Sequence, residues 1–254
     1  MGLNDILTNG QPSLAILIDP EKVNLPSLPI LLEIIAAGNG DLILIGGSTS
    51  VQLDVDLLIT KIKAICPQPV VLFPGHSNQL SRHADYLLLP SIISGHSFQY
   101  LIGEHILNAR KIKNLNIPVF STGYILMKDD TVSSALALTE SEPIDPMDIE
   151  QIVDIAIAAE MIGINSIYLE AGSGAKQMVS NPLILNLKKA VSIPIIVGGG
   201  INSMVKIDQI LLSNPNLIVI GNILESKPEL LEDLYSRVCI NRSEEILKAS
   251  KSAG

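Results

Sequence analysis

Glu170 is the residue on which chemistry is most readily built. It closes a short run, Ser166-Ile167-Tyr168-Leu169, whose β-branched and aromatic content reads as a strand. Ala171-Gly172-Ser173-Gly174 follows at once and is too glycine-rich to continue that strand. Glycines, having no Cβ, let bare backbone N–H groups close on an anion. A carboxylate delivered beside such a nest implies that something polar and charged is handled there. Two further loops repeat the signature: Gly198-Gly199-Gly200 ahead of a helix cap at Asn202 or Ser203, and Gly221-Asn222. Glycines of this kind also serve tight turns, but three such loops together read as a phosphate site.

Asp19, in Asp19-Pro20-Glu21-Lys22, follows another apolar run and could hold a divalent cation. Mg²⁺ takes hard oxygen ligands and uses one or two protein groups with water and substrate phosphates. Ser48 or Thr49, in Gly46-Gly47-Ser48-Thr49-Ser50, could add a hydroxyl oxygen. Taken alone, Asp19-Pro20 reads sooner as a turn or a helix cap. Lys22 reads as either a solvated charge or a counter-charge to a second phosphate. His76, His83, His96 and His105 share no metal-ligand spacing. The chain has no Gly-x-Ser-x-Gly elbow, no Walker A pattern and no Gly-x-Gly-x-x-Gly opening after a strand. Hydrolase, NTPase and dehydrogenase readings therefore lack their motifs.

These residues need a scaffold that brings separate loops to one place. Eight apolar runs read as strands: 14–18, 41–45, 69–73, 86–89, 118–122, 166–169, 193–197 and 217–220. Several are continuously apolar, as expected of parallel strands covered on both faces. Between them, helical periodicity marks 28–37, 51–65, 98–112, 148–162, 177–190, 203–212 and 228–248. This alternation predicts a (β/α)8 TIM barrel formed by one domain over residues 1–254, with its site at the C-terminal strand ends. One unit departs from the pattern. Only Pro74–Asp85 lies between the third and fourth strands, and Gly75, Ser77 and Asn78 leave room for a short element rather than a full helix. The stretch Leu126–Asp145 is long, polar and flanked by proline, and reads as a mobile lid or an irregular packing loop.

Composition fits that scaffold. Of 254 residues, 47% are hydrophobic, 17% charged and only 3% aromatic, so the core must be aliphatic. A net charge of −9 argues against nucleic acid held by phosphate neutralisation. Cys66 and Cys239 are too few for a disulfide framework or zinc site, and the first residues lack a signal-peptide pattern. A cytoplasmic protein is expected.

Asp19-Pro20-Glu21-Lys22, Gly46–Ser50, Phe73-Pro74-Gly75, Tyr168–Gly174, Gly198–Ile201 and Gly221-Asn222 together resemble the geranylgeranylglyceryl phosphate synthase family, which includes heptaprenylglyceryl phosphate synthases. Tyr168–Gly174 is the most diagnostic piece, and the similarity runs from about Leu14 to Asn222. The resemblance implies a TIM barrel whose third helix is missing. It implies transfer of a geranylgeranyl group, or one of similar length, from a polyprenyl diphosphate to the 3-hydroxyl of sn-glycerol 1-phosphate, releasing diphosphate. By matching positions, Asp19 and Ser48 would hold Mg²⁺. Tyr168, Leu169, Glu170, Ala171, Gly172, Ser173, Gly174, Gly199, Gly200, Gly221 and Asn222 would bind glycerol 1-phosphate, with Glu170 as the base. Some bacterial members carry Lys two places before the metal Asp. Leu17 stands there in this chain, which points to the larger, second group of the family. A homo-oligomer and peripheral membrane contact are also implied. Two readings compete: another phosphate-binding barrel enzyme such as a sugar-phosphate isomerase, and a barrel that binds phosphate or a lipid precursor without turnover.

Overall fold

The apolar runs become strands whose two faces have different neighbours. In β1 (Ser13–Ile18), Leu14, Ile16 and Ile18 pack outward among helices, whereas Ala15 and Leu17 join the interior of a ring. The same alternation continues in β2 (Leu42–Ile45) and β3 (Val70–Leu72). It recurs in β4 (Tyr86–Ile92), β5 (Val119–Leu126), β6 (Ser166–Glu170), β7 (Ile195–Gly198) and β8 (Leu217–Ile220). Burial of both faces explains why the runs show little polar alternation. In the computed structural model, which describes residues 2–23, 26, 28–38, 40–47, 53–128, 143–172, 174–221 and 227–252, the strands pair in parallel and in chain order. The ring closes where Ser13 of β1 faces Leu217 of β8. This is the expected (β/α)8 barrel.

The outer layer comprises α2 (Leu28–Gly38), α3 (Val55–Ile65), α4 (Glu104–Leu115), α5 (Ile149–Met161), α6 (Asn181–Ala190), α7 (Met204–Leu211) and α8 (Leu231–Ser252), after an initial α1 (Leu3–Thr8). Side chains of Asp54, Asp148, Ser180 and Ser203 accept N–H bonds at the starts of α3, α5, α6 and α7. Those caps set the starts of α3 and α6 later than the helical periodicity alone predicts. Gln99–Gly103 forms a π turn that leads into α4, and Pro228–Leu230 forms a 3₁₀ turn ahead of α8. The short third unit is as expected. A single 3₁₀ turn, Ser77–Gln79, bridges β3 and β4, capped by the His76 side chain.

Three further features differ from the sequence reading, the first being that β4 runs on to Ile92 where the apolar run predicts an end at Leu89. α1 was not anticipated; its Leu3, Ile6 and Leu7 are buried with Ala15, Leu42, Leu44 and Leu217 and plug the N-terminal end of the ring. β5 runs on to Leu126 instead of stopping at Thr122. That same N-terminal end carries a polar clasp. The Asp41 carboxylate accepts from Leu14 N (2.7 Å) and Tyr235 O–H (3.3 Å) and pairs with the Arg242 guanidinium, whose Nε donates to Pro12 O (2.7 Å). Among the described residues no helix is long and apolar enough to cross a membrane. Of the Leu126–Asp145 stretch, residues 129–142 lie outside the described residues; at its base Met127 and Ile144 form a parallel bridge.

Candidate active site

Strand parity builds the site. Tyr124 on β5 stands in register with Tyr168 on β6, and Glu170 on β6 stands beside Gly198 on β7. All these positions share the inward parity, so three polar side chains meet at the C-terminal mouth. Tyr124 O–H donates to Glu170 Oε2 (3.1 Å), Gly172 N–H donates to Oε1 (2.7 Å), and the Tyr168 phenol is also hydrogen-bonded to the carboxylate. Burial raises the Glu170 pKa above the ordinary carboxylate value, while those three hydrogen bonds oppose the rise. Both phenols are pushed well up, by burial first and by the Glu170 charge second, so they stay protonated and donate. Glu170 is thereby a carboxylate of raised basicity on fixed supports.

Below it lies an aromatic floor. Phe73 stacks on Tyr168 with ring centroids 4.9 Å apart and planes at 11°, and Tyr124 tilts against both at 5.7 and 5.0 Å. Such contacts fix ring orientation as well as burying area, which holds the two phenolic hydroxyls at Glu170.

The glycines are required by close packing. At Gly198 a Cβ would come within 2.2 Å of the Tyr168 hydroxyl. Gly199, at φ +83°, would drive a Cβ to 2.6 Å from Glu170 Oε1 and 2.7 Å from Gly172 N. Gly172, Gly174 and Gly200 also have positive φ. The β6 and β7 loops therefore meet backbone to backbone beside the carboxylate. Lys206 Nζ ties them further by donating to Gly200 O (2.5 Å) and Lys176 O (3.0 Å). The side chains of Leu169 and Ala171 belong instead to the outer aliphatic layer, leaving only their backbone on the site side. Gly221 sits after β8 against Leu17. Ser173 and Asn222 lie outside the described residues, as does Ser48.

Asp19 ends β1 on another side of the mouth. One carboxylate oxygen accepts from Glu21 N (3.1 Å), so the turn reading of Asp19-Pro20 is realised. Gly47 packs directly against this carboxylate: a Cβ there would stand 2.4 Å from Asp19 Oδ1. No group of three or more His, Cys, Asp or Glu gathers among the described residues. A strand-end carboxylate offers the hard oxygen donors that Mg²⁺ takes.

Residues 9–239 match the PcrB family over most of the chain. The chain belongs to the PcrB family. Among PcrB relatives, the geranylgeranylglyceryl phosphate synthase of Chitinophaga pinensis is 37% identical over 235 residues, covering 92% of this chain and 93% of that protein. That of Methanosphaera stadtmanae is 30% identical over 222 residues, covering 87% and 89%. The crystal structure of (S)-3-O-geranylgeranylglyceryl phosphate synthase from Thermoplasma acidophilum, in complex with sn-glycerol-1-phosphate, superposes with a TM-score of 0.86 at 26% identity, covering 94% and 98%. The resemblance drawn from Asp19, Tyr168–Gly174 and the later glycine loops is borne out at the level of the family.

Sequence reasoning missed three residues here. Tyr124 lies beyond the strand end expected at Thr122, yet Phe120, Thr122 and Tyr124 share one parity that leads inward. Phe73 was read only as part of a motif. Gln79 was passed over altogether, and its neutral side chain in a short turn gave no sequence signal.

Proposed function

We propose that the protein transfers a prenyl group, geranylgeranyl or of similar length, from a polyprenyl diphosphate to the 3-hydroxyl of sn-glycerol 1-phosphate, as its relatives' name implies. The observation that carries this reading is Glu170: a carboxylate of raised pKa, oriented by two phenols, beside glycine loops that meet backbone to backbone. An acceptor carrying both a phosphate and a hydroxyl fits that pairing. The glycine loops (Tyr168 to Gly174, Gly199, Gly200, Gly221 and Asn222) seat the phosphate, and Glu170 faces the hydroxyl. As the acceptor oxygen forms its bond to the allylic carbon, its proton passes to Glu170 and the bond from that carbon to diphosphate breaks. The phenols of Tyr124 and Tyr168 keep the carboxylate aimed through this transfer.

Asp19, with Ser48, would hold Mg²⁺, which supplies positive charge against the charge gathering on diphosphate. The rival isomerase reading needs two acid–base groups on one carbon, whereas Asp19 and Glu170 end β1 and β6 with β7 and β8 between them. Self-association through the outer helices completes the proposal. Phe98, Ile106 and Leu107, at 65, 61 and 73% exposure on the π turn and α4, offer the apolar face for a second copy, which sedimentation would report. The apolar tails of donor and product make peripheral membrane contact part of the same reading.

The deciding assay supplies Mg²⁺, glycerol 1-phosphate and a ladder of labelled prenyl diphosphates. The expected outcome is a butanol-extractable prenyl glyceryl phosphate. Absence of product at every chain length would overturn the reading.

A further inference from the structure

The missing third helix leaves the β2 and β3 loops without the brace that a barrel helix provides. The chain fills that place with one side chain. Gln79, on the 3₁₀ turn Ser77–Gln79, is fully buried. Its Oε1 accepts from Gly75 N (2.9 Å) in the β3 loop and lies 3.5 Å from Gly47 N. Its Nε2 donates to Gly47 O (3.0 Å) in the β2 loop. One carboxamide thus serves both backbone groups of Gly47 and one of Gly75, a donor-and-acceptor pattern that an amide side chain matches.

What Gly47 touches gives this clasp a chemical consequence. Gly47 backs onto Asp19, where a Cβ would come within 2.4 Å of Oδ1. Gly46, its neighbour, lies so close to β3 that a Cβ would overlap Phe73 O at 1.8 Å. Gly46 N also donates to Ile18 O, the residue before Asp19. The segment against Asp19 is therefore located by backbone contact on two sides and by Gln79 on the third.

We infer that Gln79 is a positioning residue for the diphosphate pole of the mouth: it holds Gly47 against Asp19 so that the carboxylate and the β2 backbone face a magnesium-bound diphosphate together. This rests on the reading of Asp19 proposed above. Gln79 acts through Gly47; the described partners of its carboxamide, Gly47 and Gly75, lie in the β2 and β3 loops.

Calorimetric titration of the purified full chain tests it, with inorganic pyrophosphate plus Mg²⁺ as the probe and glycerol 1-phosphate as internal reference. Gln79→Met is expected to weaken pyrophosphate binding about tenfold and to leave glycerol 1-phosphate binding unchanged. In an Asp19→Asn background it is expected to add clearly less than tenfold, since part of its effect runs through the Asp19 carboxylate. Gln79→Glu keeps an acceptor for Gly75 and loses the donor to Gly47, so it carries the same expectation if the Met variant melts too early to titrate. In kinetics the donor KM and the Mg²⁺ requirement should rise more than kcat falls. Unchanged pyrophosphate binding, equal loss of both ligands, or additive losses with Asp19→Asn would each overturn the inference. If Asp19→Asn weakens pyrophosphate binding and Gln79→Met does not, the inference fails alone. If Asp19→Asn has no effect, the reading of Asp19 fails and takes the inference with it.

Discussion

The two ends of the barrel treat a buried carboxylate in opposite ways. At the N-terminal end Asp41 has a guanidinium partner, Arg242, and further bonds from Leu14 N and Tyr235. At the C-terminal end Glu170 is surrounded by neutral donors, two phenols and one backbone N–H. Pairing with a cation makes Asp41 a fastening between α8 and the β1–β2 edge. Burial among neutral donors leaves Glu170 with a raised pKa and a readiness to take a proton. Stability and chemistry are thus assigned to separate ends of one ring.

The largest expected effect comes from Glu170→Gln, which should lower kcat by about 10² to 10⁴-fold while glycerol 1-phosphate still binds in titration. Its stability change has the opposite sign. A carboxyl whose pKa is raised by folding loses stability as pH rises from its unfolded pKa through its folded one. The Gln variant should therefore melt higher than the parent at neutral pH, and the difference should shrink near pH 4. A lower melting temperature at neutral pH would break the contrast with Asp41.

Arg242→Met is the mirror test. It strands Asp41 without its cation and should cost about 3 kcal/mol in denaturant unfolding, with turnover per folded molecule unchanged. Much reduced turnover would show the two ends to be coupled.

Tyr124→Phe should have a smaller effect. Its hydroxyl lowers the Glu170 pKa, so its removal lets that pKa rise further. With the ionised carboxylate as the proposed base, the acid limb of the kcat/KM profile should move to higher pH, with about a tenfold loss at the optimum. A limb that stays in place would remove Tyr124 from the support of Glu170.

Smallest of all is Lys63→Met at the N-terminal end. The Lys63–Asp85 pair (2.6 Å) is more than a third exposed on both sides. Its loss should cost about 0.5 kcal/mol or less in the same unfolding measurement. A cost like that of Arg242→Met would show that the end is stabilised diffusely and not by the Asp41 clasp.

How much of this could be read beforehand divides along physical lines. The strands were legible because double-sided burial leaves continuous Ile, Leu and Val runs such as Leu217–Ile220. The missing helix was legible from the short Pro74–Asp85 stretch and its turn-forming Gly75, Ser77 and Asn78. Glu170 and its glycines were legible because a carboxylate closing a strand ahead of a glycine-rich loop, with two more such loops following, is an unusual combination. What escaped depends on contacts distant in sequence. α1 is too short to show periodicity and is recognised only by the hole it fills. Gln79 and Tyr124 matter because of what lies 32 and 46 residues away, at Gly47 and Glu170. The helix starts shifted because a cap such as Asp54 or Ser180 settles the boundary locally, against a periodicity that runs past it.

The pairing of Ser13 with Leu217 has a consequence for how the chain is made. A ring of parallel strands has no bare edge only when its first and last members meet, so every strand before β8 emerges during synthesis onto an open sheet. The contact that shuts it spans almost the whole sequence, which makes closure a late and slow event. A chain cut short before β8 would lose one strand and expose two edges, turning a small deletion into a template for aggregation.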